Sequence, residues 1–230
     1  MDIYTIQNIL ERSRIKCKKI MGEFEIFCDL GNLSIMMIIM EKYVTKEYEW
    51  DHVCEKISED GNIEYLRYLH ENGCHWDERT CSSASYGGQL ECLKYAHENG
   101  CPWNDYACLF ASSFGHLECL RYAHENGCPW NKDVCVLASG RGYMECLRYA
   151  HENGCPWDWV TCHDATICGQ LECLKYAYEN GCAININRCL MHAKGECEEY
   201  LRRIKEEAIR RLKNERTNNG RTMIRNKNHQ

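Results

Sequence analysis

Long apolar runs are missing from this sequence, and proline and phenylalanine are scarce. The 230 residues include 3 Pro and 4 Phe, and the longest apolar run, Ile35 to Met40, has 6 residues. A membrane-spanning helix needs roughly 20, so we expect none. The N-terminal segment carries charges throughout and lacks the apolar core of a secretion signal. We therefore expect a cytoplasmic protein.

The short motifs that identify common catalytic and ligand-binding sites are also missing. The chain has no Cys-x-x-Cys pair, P-loop, dinucleotide-binding fingerprint, Gly-x-Ser-x-Gly or His-Glu-x-x-His motif, which removes the sequence signals for zinc, nucleotide and hydrolase sites. Cysteine and histidine are abundant, but each candidate pair is copied several times, whereas a catalytic pair is normally singular. We predict no enzyme activity, no catalytic residue, no metal, no cofactor and no small-molecule substrate.

The chain is rich in cysteine, and its charge is unevenly distributed. Without an export signal, the 19 cysteines are expected to be reduced thiols. Residues 202–230 hold 10 Lys and Arg against 3 Asp and Glu, net +7, and the remaining residues hold 18 against 31, net −13. A basic segment can bind nucleic acid or direct a protein to the nucleus. Because the rest of the chain repels a polyanion, we favour a solvated helical cap, and nuclear localisation is the alternative.

An internal repeat of 27 residues dominates the sequence. Asn-Gly recurs at this interval from Asn72-Gly73 to Asn180-Gly181, and a cysteine follows each glycine. Two more cysteine series and a leucine series keep the same step: Cys54 to Cys189, Cys92 to Cys173, and Leu66 to Leu201. A fixed period of this size indicates a repeat architecture, in which each unit buries its apolar face against its neighbours.

Each unit is predicted to contain two helices. In one unit the first helix opens at Asn104, a suitable N-cap, and closes at Gly115. The second helix begins at Leu117 and stops at Gly127. A link of sequence Cys-Pro-Trp-Asn or Cys-Pro-Trp-Asp joins successive units, and it holds every proline of the chain. Its tryptophan is expected to pack across the junction.

The segment Ala111 to Cys128, ASSFGHLECLRYAHENGC, resembles the ankyrin repeat. The wording His-Glu-Asn-Gly-Cys-Pro-Trp is similar to the degenerate ankyrin-type repeats that giant DNA viruses encode in large numbers. The resemblance implies an all-α fold, an α-solenoid of stacked helix-turn-helix units. Standard ankyrin units have about 33 residues and include a β-turn segment, so a unit of 27 implies reduced or absent β-hairpins.

The repeat register and the change in composition at the two ends divide the chain into four parts. We predict an N-terminal cap and eroded repeat over residues 1–46, the repeat array over 47–201, a C-terminal capping helix over 202–216, and a basic, disordered tail over 217–230.

Binding specificity in such a stack is expected at the positions that differ between otherwise nearly identical units. The resemblance places the first helices on the concave face, where the pair of residues before the closing glycine changes in every unit. Aromatic and arginine side chains at such positions are typical interface anchors, although Phe110 or Val136 could instead fill a gap between units. The predicted protein-binding residues are Tyr86, Tyr106, Phe110, Phe114, Val136, Arg141, Trp159, His163 and Ile167.

Three functional hypotheses follow. The first is a non-catalytic scaffold that binds a protein partner, host or viral, on its concave face. The second is an adaptor that recruits a second machine, such as a ubiquitin ligase, through residues 1–46 or the tail. The third is a zinc or redox sensor. Equivalent histidines on adjacent units are about 8–10 Å apart and cannot share one ion, so the third hypothesis is the weakest. Nucleic acid and membranes are not expected partners.

Overall fold

The computed structural model describes residues 51–227, and all regular secondary structure in that range is helical. The predicted cap and eroded repeat over residues 1–46 lie outside the described residues. We number the helices α1 Asp51–Asp60, α2 Ile63–Glu71, α3 Glu78–Gly87, α4 Leu90–Glu98, α5 Asp105–Ser113, α6 Leu117–Glu125, α7 Asp133–Arg141, α8 Met144–Glu152, α9 Trp159–Ile167, α10 Leu171–Glu179, α11 Ile186–Leu190 and α12 Gly195–Lys227.

Odd-numbered helices are the first helices of their units, and local capping sets where they begin and end. The Asn104 side chain accepts a hydrogen bond from the backbone N–H of Tyr106 at 3.1 Å, which satisfies one of the free donors at the start of α5. Past the end of this helix, Gly115 has a φ of +77°. A Cβ there would lie 2.4 Å from Cδ1 of Tyr143 in the next unit, so both conformation and space require glycine.

The even-numbered helices from α2 to α10 end on the copied Asn-Gly-Cys. The Asn126 side chain donates from Nδ2 to the Tyr122 carbonyl at 2.8 Å, and Gly127 has a φ of +84°. The Cys128 N–H then bonds the Ala123 carbonyl at 2.9 Å. These bonds satisfy the last carbonyls of α6. The recurring Asn-Gly-Cys motif is therefore the C-terminal cap of the second helices from α2 to α10.

The helices form two rows along the stack. First helices pack closely against the first helices of neighbouring units, whereas second helices contact one another much less. Small residues such as Ala84, Ala111 and Ala138 are fully buried in the first helices and allow this approach. The first helices therefore form the more closely packed row, and we call the side of the stack that they line the inner face.

The core is continuous between the two rows. Its largest repeated members are the fully buried leucines of the second helices, and each contributes about 1.5–3 kcal/mol by removal from water. Cysteines occupy many remaining core positions: of 17 in the described region, 16 are buried and Cys168 is exposed. Buried cysteine packs as a small apolar side chain. The leucines are Leu66, Leu93, Leu120, Leu147, Leu174 and Leu201.

The links between units contain no strand anywhere in residues 51–227, so this region has no β-hairpin, as the short repeat predicts. One link does carry an ion pair across units. Lys132 Nζ lies 2.7 Å from Oδ2 of Asp158, whose other oxygen accepts the N–H of Val160 and caps α9. The hydrogen bond from Lys132 lowers the pKa of Asp158.

The C-terminal boundaries differ from those predicted. Helix α12 starts at Gly195, within the predicted array, and continues through Lys227, so residues 217–227 of the predicted disordered tail are helical. Extending an existing helix needs only one new hydrogen bond per residue, without the cost of nucleation. Pairs four residues apart support its exposed face, including Glu198 with Arg202 at 2.6 Å.

Candidate protein-interaction surface

Four aromatic residues predicted from the variable positions meet on the inner face. The ring centroids of Tyr86 and Phe114 are 4.3 Å apart, those of Tyr86 and Phe110 6.0 Å, and those of Tyr106 and Phe110 5.6 Å. Tyr86 and Tyr106 expose 41% and 51% of their surface, and the two phenylalanines are half-buried. Together with Arg141 they form what we call the inner-face aromatic cluster.

Arg141 joins this cluster from the next unit. Its Cζ lies 4.6 Å from the centroid of the Phe114 ring, and Nη1 donates to the Ser113 carbonyl at 3.0 Å. A guanidinium stacked on a ring is favoured by the negative face of the π system. No carboxylate in the described part of the chain forms an ion pair with Arg141. Its other N–H donors therefore remain available to a ligand.

A second group lies further along the same face. Arg188 Cζ lies 4.6 Å from the Trp159 ring, and Trp159 contacts His163 with centroids 5.3 Å apart. His163 Nδ1 is 3.7 Å from the Asp164 carboxylate, while its Nε2 is buried without a hydrogen-bond partner. We call Trp159, His163 and Arg188 the second inner-face group. It repeats the pairing of an aromatic ring with an arginine from the following unit.

The other two predicted binding residues behave differently from each other. Ile167 exposes 50% of its surface at the end of α9. Val136 is buried, with 8% of its surface exposed. Val136 therefore offers almost no surface to a partner.

A copied aromatic rung connects each unit to the next at the second helices. His124 stacks on Trp130 with centroids 3.8 Å apart, and its Nδ1 is hydrogen-bonded to the Tyr149 hydroxyl at 2.9 Å. The Tyr149 ring meets Trp130 edge-on at 6.3 Å. Burial raises the pKa of Tyr149, so the phenol stays protonated. Equivalent rungs are His70–Trp76–Tyr95, His97–Trp103–Tyr122 and His151–Trp157–Tyr176.

These rungs give the repeated histidines a packing role. Within residues 51–227, no group of three or more His, Cys, Asp or Glu side chains is arranged to hold a metal ion. The zinc hypothesis therefore gains no support from the geometry. Among the helices of the same region, none combines the length and apolar character required to span a bilayer.

Comparison with known proteins gives the fold its name. Residues 81–124 match the family of ankyrin repeats (many copies). The structure also matches the crystal structure of the human ASB11 ankyrin repeat domain, with a TM-score of 0.56 and 17% sequence identity. That match covers 64% of this chain and 81% of the human domain. The chain folds as an ankyrin repeat solenoid. No curated protein matches its sequence.

Ankyrin repeats generally mediate protein–protein interactions, and the inner face of this solenoid carries the exposed aromatic residues. Variation between copies of the repeat predicted every member of the inner-face aromatic cluster and of the second inner-face group except Arg188. The sequence also distinguishes Arg188, because this arginine replaces the small or apolar residue found at the same repeat position in other units. Those residues, Thr80, Ala107, Val134 and Thr161, are all buried.

Proposed function

We propose that this ankyrin repeat protein is a non-catalytic scaffold that holds a protein partner on its concave face. The observation that carries the proposal is the inner-face aromatic cluster. This cluster brings together exposed aromatic rings and an arginine without a carboxylate partner. Its residues lie at positions that differ from one repeat unit to the next. Aromatic and arginine side chains dominate the binding energy of many interfaces. Phe114 also holds Arg141 in place, which reduces the entropy lost on binding.

The charges of this face indicate the chemistry of the partner. Arg141 and Arg188 both stack on rings, and neither has an ion-pair partner within the described residues. The complementary segment therefore presents carboxylates beside apolar or aromatic side chains, because each guanidinium can take a carboxylate in a charge-assisted pair. The aromatic rings supply the apolar contact area.

The wording of the repeat supports a viral origin, and with it a host or viral protein as the partner. The segment His-Glu-Asn-Gly-Cys-Pro-Trp, present at His97, His124 and His151, is the basis of that resemblance. We place the protein in the cytoplasm of the host cell.

A charge reversal on each face tests the scaffold. Arg141→Glu changes the inner face, and Arg148→Glu makes the same change in the same unit on the outer face, where Arg148 lies exposed 3.6 Å from Glu145. Proteins captured from the native cell by the unmodified chain should be lost with the first variant and kept with the second. Partners crosslinked to the aromatic cluster should contribute acidic segments. Equal capture by both variants would refute the inner-face proposal.

Removing residues 1–46 separates the scaffold from the adaptor. An adaptor that recruits a second machine through this segment loses one subset of its partners on deletion and keeps the other. A scaffold keeps the whole set, and circular dichroism checks that the shortened chain remains helical.

A further inference from the structure

The structure brings together cysteines that are far apart in the repeat. The first-helix cysteine of each unit meets the cysteine that follows the Asn-Gly cap of the same unit, 20 residues later. Cys54 Sγ and Cys74 Sγ are 2.7 Å apart. In another unit Cys108 Sγ lies 3.9 Å from the carbonyl oxygen of Cys128, and the 27-residue period places the remaining pairs at equivalent positions. We call these the paired thiols: Cys54–Cys74, Cys81–Cys101, Cys108–Cys128, Cys135–Cys155 and Cys162–Cys182.

We propose that the paired thiols are sites of reversible oxidation, each closing to a disulfide within its own unit. The bond would fasten the first helix to the link that follows the second helix. It needs little movement where the separation is known, because Cys54 and Cys74 must approach only from 2.7 Å to about 2.05 Å. A metal bridge would require the sulfurs to separate instead, since each metal–sulfur bond is about 2.3 Å long.

The surroundings of one pair show how the reaction can proceed. Cys108 donates a hydrogen bond towards Cys128, and this bond lowers the pKa of the Cys128 thiol. The same bond raises the pKa of the Cys108 thiol, and burial raises it further. Cys128 exposes 4% of its surface and Cys108 none. The cap cysteine is therefore the more acidic and more accessible thiol, and it is the attacking nucleophile once local opening admits the oxidant.

With hydrogen peroxide as the oxidant, the atoms balance in two steps. The Cys128 thiolate attacks one peroxide oxygen, the O–O bond breaks, and the leaving hydroxide takes a proton to become water. Cys108 then attacks the sulfur of the resulting sulfenic acid, the S–O bond breaks, and a second water leaves with the Cys108 proton. The two sulfurs together lose two electrons, and peroxide gains them.

The backbone carbonyls that accept a hydrogen bond from a cap cysteine keep another hydrogen-bond donor after oxidation. In the reduced protein the Cys128 thiol donates to the Asn104 carbonyl at 3.1 Å. That oxygen also accepts the backbone N–H of Ala107 at 3.2 Å and keeps this bond in the disulfide form. The same double acceptance occurs at Asp77, Asn131 and Asp158, opposite Cys101, Cys155 and Cys182.

The chain contains its own control cysteines. Cys92, Cys119, Cys146 and Cys173 lie in the second helices, with 1–2% of their surface exposed. Burial raises the pKa of Cys92 to about 11 and that of Cys119 to about 12, and neither has a thiol as a hydrogen-bond partner. Their burial is similar to that of the paired thiols, and the absence of a partner thiol is the difference.

The experiment uses the full chain with Cys17, Cys28 and Cys168 replaced by serine. The protein is exposed to hydrogen peroxide or glutathione disulfide, denatured in an alkylating agent, digested without reduction, and mapped by mass spectrometry. We expect crosslinked peptides that join each cap cysteine to its first-helix partner. Cys54–Cys74 should form first, since Cys74 is the most exposed of the ten at 7%. The second-helix cysteines should all be recovered alkylated, and dithiothreitol should reverse the crosslinks.

Two matched variants test whether formation of these disulfides stabilises the fold. Cys108→Ala should lose one crosslink and lower the rise in the unfolding temperature that oxidation produces, because each bond restricts the unfolded chain. Cys119→Ala should retain every crosslink and the full rise. If Cys108→Ala does not fold, mapping of the Cys119→Ala protein still decides the question.

Three results would overturn the proposal. The paired thiols could be alkylated as completely as the second-helix cysteines. The crosslinks could join cysteines of different units. Anaerobic titration with Cd²⁺ could give one bound ion per unit that protects the same thiols from alkylation, which would make each pair a soft-metal site.

Discussion

The two rows of helices differ in what the repeat copies. On the second-helix row the His–Trp–Tyr rungs and the Asn-Gly-Cys caps recur almost unchanged, and each contacts the next unit or closes its own helix. On the first-helix row the buried side is largely copied, while exposed or half-buried positions such as Tyr86, Phe114 and Arg141 change from unit to unit. Copying is therefore closest at the contacts that join second helices and in the buried core, and variation is concentrated on the partly exposed side of the first helices.

The largest loss is expected in the core that both rows share. Leu120 of α6 has no exposed surface, and Leu120→Ala should lower the free energy of unfolding by about 2–5 kcal/mol by removing apolar contacts and leaving a cavity. Urea denaturation followed by circular dichroism measures the change. Glu118→Ala, on the exposed side of the same helix, should stay within about 0.5 kcal/mol of the unmodified protein. Similar losses for the two variants would contradict the assigned core.

A smaller loss is expected from a rung of the outer row. Trp130→Ala removes the ring between His124 and Tyr149, and should cost about 2–3 kcal/mol because the tryptophan is only half-buried. Tyr149→Phe removes only the hydroxyl bonded to His124 and should cost about 1 kcal/mol. Thermal and urea unfolding compare the two. If the hydroxyl deletion costs as much as loss of the indole, stacking is not the main contribution of the rung.

Two adjacent serines test the inner row. Ser112 Oγ donates to the Val134 carbonyl of the next first helix at 2.8 Å, whereas the buried Ser113 hydroxyl has no hydrogen-bond partner. Ser112→Ala should destabilise the protein by about 1 kcal/mol. Ser113→Ala should be neutral or slightly stabilising, since it removes a buried hydroxyl that makes no bond. A reversed order in urea denaturation would show that the carbonyl contact does not stabilise the row.

The smallest effect is expected at the link between units. Lys132 lowers the pKa of Asp158, so this carboxylate stabilises the fold above its unfolded pKa of about 3.9, and the contribution is lost as the pH falls through the lower folded value. Asp158→Asn, which keeps a capping side chain, should therefore be slightly less stable at neutral pH and match the unmodified protein in acid. In a Lys132→Met background the pH-dependent difference should shrink to the part that the Val160 hydrogen bond contributes, and an unchanged difference would remove Lys132 as the cause.

Much of the fold follows from local sequence. Capping residues act on the backbone within four or five positions, so Asn104, Gly115 and Gly127 located the ends of α5 and α6 closely. The C-terminal boundary was wrong because composition predicted disorder beyond Thr217, whereas α12 continues from a helix already formed. The aromatic cluster was partly predictable, since its members differ between otherwise identical units. Burial of Val136 was not, because it depends on how closely neighbouring first helices approach.

Local sequence was enough to define the unit, its two helices, the leucine core and the set of positions free to vary. These depend on short-range capping, apolar spacing and the comparison of one copy with the next. Which residues meet depends on helix packing: histidine with tryptophan and the tyrosine of the next unit, the two cysteines of each pair, and Arg141 with Phe114. Those contacts join residues up to 27 positions apart, and their geometry is set by the angle and distance at which helices pack.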